Sequence, residues 1–161
     1  MKKTTKLIGI LAVALLTGCA ATGNDYITGI RGESPNASPL GTLSPAQQQL
    51  LGPDLNSNGI RDQVDAEIKK IGNPGGQAAA VLFSRSLSKA MMAGASQAPV
   101  DEKLKATYAN SAACLDRLGG EGKANALRQL TLSTPERVKA FQAWTDSLGT
   151  APVATDNPCQ D

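Results

Sequence analysis

Histidine is absent from all 161 residues. That removes the side chain that most often moves protons near neutral pH, and with it the commonest ligand for zinc and copper. No HExxH or other set of transition-metal ligands takes its place. Aromatics make up only 3 % (one Trp, two Tyr, two Phe), so any core is built mainly from aliphatic and alanine side chains. Only three cysteines occur, Cys19, Cys114 and Cys159. The apolar run Leu7 to Leu16 is far short of the roughly 20 residues that span a bilayer as a helix. β-Branched residues are scattered, no stretch alternates polar with apolar, and there is no internal repeat. Strands are therefore not expected. Basic residues interleaved with aromatics are also missing, which argues against nucleic-acid binding.

What is present begins with compartment. Lys2, Lys3 and Lys6 precede the ten-residue apolar run, which ends in Leu16-Thr17-Gly18-Cys19. The layout is that of a signal peptide over residues 1–18. The last four residues resemble a bacterial lipobox. The resemblance implies that the Cys19 thiol and then its amine are acylated (a palmitoylated lipoprotein), with cleavage just before it. Ala20 rather than Asp follows Cys19, which by the sorting rule of Gram-negative lipoproteins implies the outer membrane, facing the periplasm. Cleavage takes three lysines with it, leaving 13 basic against 14 acidic residues and a net charge of −1. The apparent basicity of the whole chain thus belongs to the leader. With Cys19 lipidated in an oxidising space, Cys114 and Cys159 are expected to pair. A free, reactive Cys114 is the alternative, but no His is there to activate it.

Residues 54–65 read Asp-Leu-Asn-Ser-Asn-Gly-Ile-Arg-Asp-Gln-Val-Asp. Calcium takes six to eight oxygens, and a tight turn supplies them by placing carboxylates and amides at alternate positions. Asp54, Asn56 and Asn58 occupy positions 1, 3 and 5, and Gly59 stands where the backbone turns sharply. The carbonyl of Ile60, then Asp62 and Asp65, complete a candidate ligand set. The same residues also suit an Asx-rich turn leading into an N-capped helix.

The pattern resembles an EF-hand loop, with two departures. Arg61 stands at the usually apolar position 8, which implies an unpaired loop, and Asp65 stands where Glu is usual. The Gly-Ile-x-Asp-x-x-Asp run is similar to thrombospondin type 3 repeats, and dockerin loops also end in Asp. The likeness covers twelve residues and implies a weak calcium site, with an affinity on the order of 10⁻⁵–10⁻³ M, and no particular fold.

The remainder reads as helices. Residues 19–42, rich in Gly, Ser, Thr, Asn and Pro, are expected to form a lipidated N-terminus and flexible linker, with an α-helical domain over 43–161. Ser44-Pro45 opens a short helix to about Leu51. Val64, Ile68 and Ile71 share one face. Asn73-Pro74-Gly75-Gly76 is expected to break the chain before a helix near 77–93, which buries Ala80, Phe83, Leu87, Ala90 and Met91 and turns its serines outward. A helix over 100–118 points Val100, Leu104, Tyr108, Ala112, Leu115 and Leu118 inward. Ala124, Leu127 and Leu130 mark a short helix, and Ser133-Thr134-Pro135 starts the last, with Val138, Phe141, Trp144, Thr145 and Leu148 inward.

The fold class expected is all-α, a small bundle with one calcium loop. Ser86-Leu87-Ser88-Lys89 matches S-x-x-K, but no S-D-N or K-T-G follows. The functional expectation is a non-enzymatic envelope lipoprotein. It would act as an assembly subunit or as an inhibitor or immunity protein, with an unidentified protein partner. A substrate- or ion-binding lipoprotein using calcium at its surface is the alternative, and a periplasmic enzyme comes third. The lipobox generates a direct test: intact-mass analysis of the mature protein should find a chain beginning at a lipidated Cys19, and Cys19→Ser should abolish the lipid mass and its recovery with outer membranes.

Overall fold

A computed structural model describes residues 38–160; the leader, Cys19 and most of the expected tether lie outside them. The described residues form six helices and no strand: α1 Pro45–Leu51, α2 Asp62–Ile68, α3 Pro74–Ser96, α4 Glu102–Gly119, α5 Lys123–Thr131 and α6 Pro135–Ser147. Four begin at a side chain able to satisfy an otherwise unpaired N–H group. The Ser44 hydroxyl accepts from the Gln47 N–H while the Gln47 side chain accepts from the Ser44 N–H. Asn73 accepts from Gly76, Asp101 from Lys103 and Leu104, and Thr134 from Arg137.

Asn73 explains the first departure from expectation. Pro74-Gly75-Gly76 is the first turn of α3 and not a break before it, because proline at the first position gives up no needed donor. The helix then runs past Gly94 to Ser96 and ends at Gln97, which adopts a left-handed φ of 53°. The tether's expected end is also modified: Leu40 packs over the buried Gly59, so the chain joins the body before residue 42.

α3 is the axis of the bundle. α4 and α6 cover most of it, and α1, α2 and α5 pack on what remains. Ala80, Phe83, Leu87, Ala90 and Met91 are buried as the periodicity predicts. The serines are not outside: Ser84, Ser86 and Ser88 are all within the body, because helices close over that face as well. Ser86 donates to the Phe83 carbonyl and lies 3.3 Å from the Ser111 hydroxyl of α4; Ser88 donates to Ser84 O. Small residues permit this crowding. Gly94 faces the backbone of α6 at Ala140 and Trp144, and Gly76 faces the Cα of Gly119.

Four of the five aromatics, Phe83, Tyr108, Phe141 and Trp144, form one cluster with centroids 5.3–5.7 Å apart. Leu115 is fully buried, whereas Val100 and Leu118, near the two ends of α4, are exposed. The tail after α6 lies against α4. Its Thr155 N–H donates to the Asn110 side chain at 2.8 Å, and the expected Cys114–Cys159 disulfide joins the two, with Cα atoms 5.0 Å apart.

A methyl group at Gly94 would collide with the Ala140 carbonyl and the Trp144 nitrogen, neither of which is a movable side-chain end. Gly94→Ala should therefore lower stability to urea by about 3 kcal/mol or more. Gly72→Ala, where nothing lies within 4 Å, should change it by less than about 1 kcal/mol.

Candidate metal centre

The loop before α2 turns where the sequence predicts, with φ of +80° at Gly59 and a second left-handed residue at Ser57. Asp54 organises it. One carboxylate oxygen accepts from the Asn58 N–H at 3.1 Å and the other from the Gly59 N–H at 2.9 Å. Asn56 accepts from the Asn58 N–H, and Asn58 Oδ1 from the Ile60 N–H. The far end of the loop folds back on its start: Asp62 accepts from the Leu55 N–H at 3.0 Å, and Asp62 donates its own N–H to the Pro53 carbonyl. The Asn58 amide reaches Asp65 at 3.3 Å.

The five candidate side chains are thus divided between the turn (Asp54, Asn56, Asn58) and the first turn of α2 (Asp62, Asp65), with Ile60 as the buried anchor between them. Their oxygens are engaged by N–H groups of the chain, and Asp65 also pairs with Lys69 at 2.8 Å. That bond, and the charges of Asp65 and Asp62, hold the Lys69 ammonium above its ordinary value. Among the described residues no three His, Cys, Asp or Glu side chains converge closely enough to hold an ion. In donor chemistry the set fits a hard cation. In this conformation the loop is a self-satisfied Asx turn.

Two arginines, Arg85 and Arg61, tie the loop to the bundle, and a third, Arg137, is buried beside Arg61. Arg85 of α3 donates from Nε to the Asn58 carbonyl at 2.8 Å. Arg61, read from the sequence as the mark of an unpaired loop, is buried. It donates to the Leu130 carbonyl, the Ser133 hydroxyl and the Gln63 side chain. Arg137 is buried beside it and donates to the Leu50 carbonyl at 2.6 Å, to Leu51 O and to the same Ser133 hydroxyl. Among the described residues neither forms an ion pair. Their protons go instead to carbonyls at the C-terminal ends of α1 and α5, the negative poles of those helices. Burial, and then the charge of Arg61, lower the Arg137 pKa from its ordinary value.

Gly52, with φ of +86°, leaves room for both guanidiniums: a Cβ there would lie 2.6 Å from Arg137 Nη2. The signal for Arg137 was in its spacing, since 137, 141, 144 and 148 form one helical stripe whose other members are apolar. Arg61 gave less warning, lying between Ile60 and Val64 in a stretch read for its acids.

Comparison with protein-family models, curated proteins and solved structures finds no match. Of the predicted site residues, the structure places Asp54, Asn56, Asn58 and Ile60 on the turn and Asp62 and Asp65 in the first turn of α2, linked to it by hydrogen bonds to Leu55 and Asn58, and joins Cys114 to Cys159. Cys19 lies outside the described residues.

Arg61 supplies the link between this turn and the α5–α6 junction. Arg61→Ala should lower stability to urea by about 2–4 kcal/mol, because it leaves the Leu130 and Ser133 groups without their donor. Arg61→Lys should restore little of that loss, since one ammonium cannot span acceptors on three sides.

Proposed function

We propose that the protein is a lipid-anchored, non-enzymatic component of the cell envelope, with a helical domain that calcium stabilises and that serves as a binding or accessory part. The observation that carries the envelope reading is the Cys114–Cys159 disulfide. Such bonds persist in oxidising compartments, which agrees with the signal-peptide layout and the lipobox. The segment 54–65 supports the calcium part by placing five oxygen side chains on the turn at Gly59 and on the first turn of α2. Asp54, Asn56, Asn58, Asp62, Asp65 and the Ile60 carbonyl would hold the ion, which would supply a structural cross-link within the loop. The pair that Asp65 would give up has one exposed partner, the Lys69 side chain being 73 % and the Asp65 side chain 14 % exposed, and solvent around the ammonium screens it.

Catalysis is the weaker reading. The serine that opens the S-x-x-K match, Ser86, is buried and hydrogen-bonded within the bundle. One observation favours the alternative of a small-molecule or ion binder: a depression of about 460 Å³ beside the loop, reached by Asp54, Ser57, Gln48 and Thr42. Its polar rim would place a bound calcium ion next to a ligand.

The calcium reading is tested by thermal unfolding of the full chain in calcium and in chelator. At free calcium a hundredfold above Kd, binding to the folded state alone adds about 2.7 kcal/mol, so the melting temperature should rise by several degrees. Magnesium should do much less. Asp54→Asn removes the charge and one of the two acceptors for the loop N–H groups, and should abolish most of the rise while also lowering the melting temperature in chelator by the loss of one such bond. Equal melting temperatures in calcium and chelator would reduce the loop to an Asx brace.

A further inference from the structure

Asn58-Gly59 is the one Asn-Gly pair in the chain, and it stands at the centre of the loop. An asparagine followed by glycine is open to attack on its own side chain, because a residue without a Cβ leaves the next backbone nitrogen unshielded. The chemistry is a ring closure. The Gly59 nitrogen bonds to Asn58 Cγ, the Cγ–Nδ2 bond breaks, and the side-chain nitrogen departs as ammonia, leaving a cyclic imide. Water then opens the imide to aspartate or to its isomer linked through the side chain. Water is the only co-reactant.

The loop sets a matching group against each atom of that reaction. The Gly59 N–H donates to Asp54 Oδ2 at 2.9 Å, so a carboxylate stands where the attacking nitrogen sheds its proton. Asn58 Oδ1, on which negative charge develops as Cγ is attacked, accepts from the Ile60 N–H at 2.9 Å. A backbone donor so placed stabilises that oxyanion. The same bond closes a ring that contains both Cγ and the Gly59 nitrogen, and so restrains the two atoms that have to meet. The leaving Nδ2 donates to Asp65 Oδ1 at 3.3 Å, and the Lys69 ammonium on the other oxygen of that carboxylate puts a proton donor near it. One proton is taken from Gly59 by Asp54 and one is given to Nδ2 from the Lys69 side; exchange with water restores both groups. Asn58 is only half-buried, which lets water reach the imide.

We propose that the folded loop promotes its own deamidation at Asn58, a one-way modification that adds a carboxylate to those of Asp54, Asp62 and Asp65. Asn56 supplies the internal contrast. Its Oδ1 also accepts from a backbone N–H two residues on, that of Asn58, but the Ser57 N–H between them goes to the Asp54 carbonyl at 3.2 Å and not to a carboxylate. Ser57 also carries the side chain that Gly59 lacks. The inference is independent of the calcium reading, since the reaction needs no ion.

The test holds the full-length protein in chelator at physiological temperature and neutral pH, and follows the amide-to-acid change at each asparagine by peptide mapping and mass spectrometry. Asn58 should convert about tenfold or more faster in the folded chain than in the same chain unfolded in urea. Asn56 should gain nothing from folding. Asp54→Asn, which leaves no carboxylate on the Gly59 N–H, should bring the Asn58 rate down to that of the unfolded chain. The wild-type comparison needs no variant and decides alone where Asp54→Asn does not fold. An Asn58 rate no higher in the folded chain than in urea would overturn the proposal. So would an equal acceleration at Asn56, or a folded Asp54→Asn chain that converts as fast as wild type.

Discussion

A 23-residue helix wrapped by five others has to let their backbones come close, and the small side chains of α3 meet that demand. Gly94 admits α6 and Gly76 admits the end of α4, while Ala79, Ala80 and Ala90 are buried between larger neighbours. The serines follow from the same demand. A serine fits where a leucine would not, and in a helix its hydroxyl can return its proton to a carbonyl one turn back, as Ser86 and Ser88 do. Ser84 is the exception, with a buried hydroxyl that has no protein partner, and an unmade bond of this kind costs about 1–3 kcal/mol. With so much of the interior given to small groups, the aromatic cluster of Phe83, Tyr108, Phe141 and Trp144 carries an unusual share of the apolar contact between α3, α4 and α6.

The loop is fastened to this scaffold at three points: the buried Ile60 side chain, Arg85 from α3, and Arg61 toward the α5–α6 junction. Two buried guanidiniums side by side repel each other, and the usual remedy would be a carboxylate. Here the ends of α1 and α5 provide partial negative charge instead, through Leu50, Leu51 and Leu130. Carbonyls at helix ends need donors in any case, so one set of bonds serves both guanidiniums and terminates two helices, with Arg61 Nε alone left buried without a hydrogen-bond partner. Ser133, shared by both guanidiniums, fixes their separation. A change in loop conformation is for this reason felt where α1 stops and where α6 begins.

The helices were legible because their apolar period and their caps agree: Ser44, Asp101 and Thr134 stand where the periodic stretches start. The buried serines were not legible, because a serine on a helix reads as a solvent-facing residue unless the helix is known to be surrounded. The start of α3 was misread for a similar reason. Pro-Gly-Gly has the composition of a turn, and only the Asn73 cap together with the contact at Gly119 turns it into a helix end. At the loop, the pattern of short polar side chains located the turn and its glycine. It could not show that those side chains would be satisfied by N–H groups of the same turn, since ion ligands and Asx-turn residues are the same chemical types. The partners of Arg61 and Arg137 were hidden because they are carbonyls 69 and 86 or more residues away, although the place of Arg137 on an apolar stripe marked it as inward-facing.

The tail shows how a thin core is completed. α4 presents one side to α3 and α5, and Asn110 and Cys114 lie on or near its other margin, where an uncovered polar amide and a core-packed sulfur would meet water. The segment after α6 lies over them, with Thr155 bonded to Asn110 and Thr150 to Lys105. Those two hydrogen bonds would hold an extended chain only weakly. The disulfide shifts the balance: closing 45 residues removes about 4 kcal/mol of unfolded-state freedom in the chain-entropy model, more than the two hydrogen bonds contribute together. The covalent link therefore does for the far side of α4 what burial of α3 does for the centre. It keeps small and polar groups packed where side-chain volume alone would not.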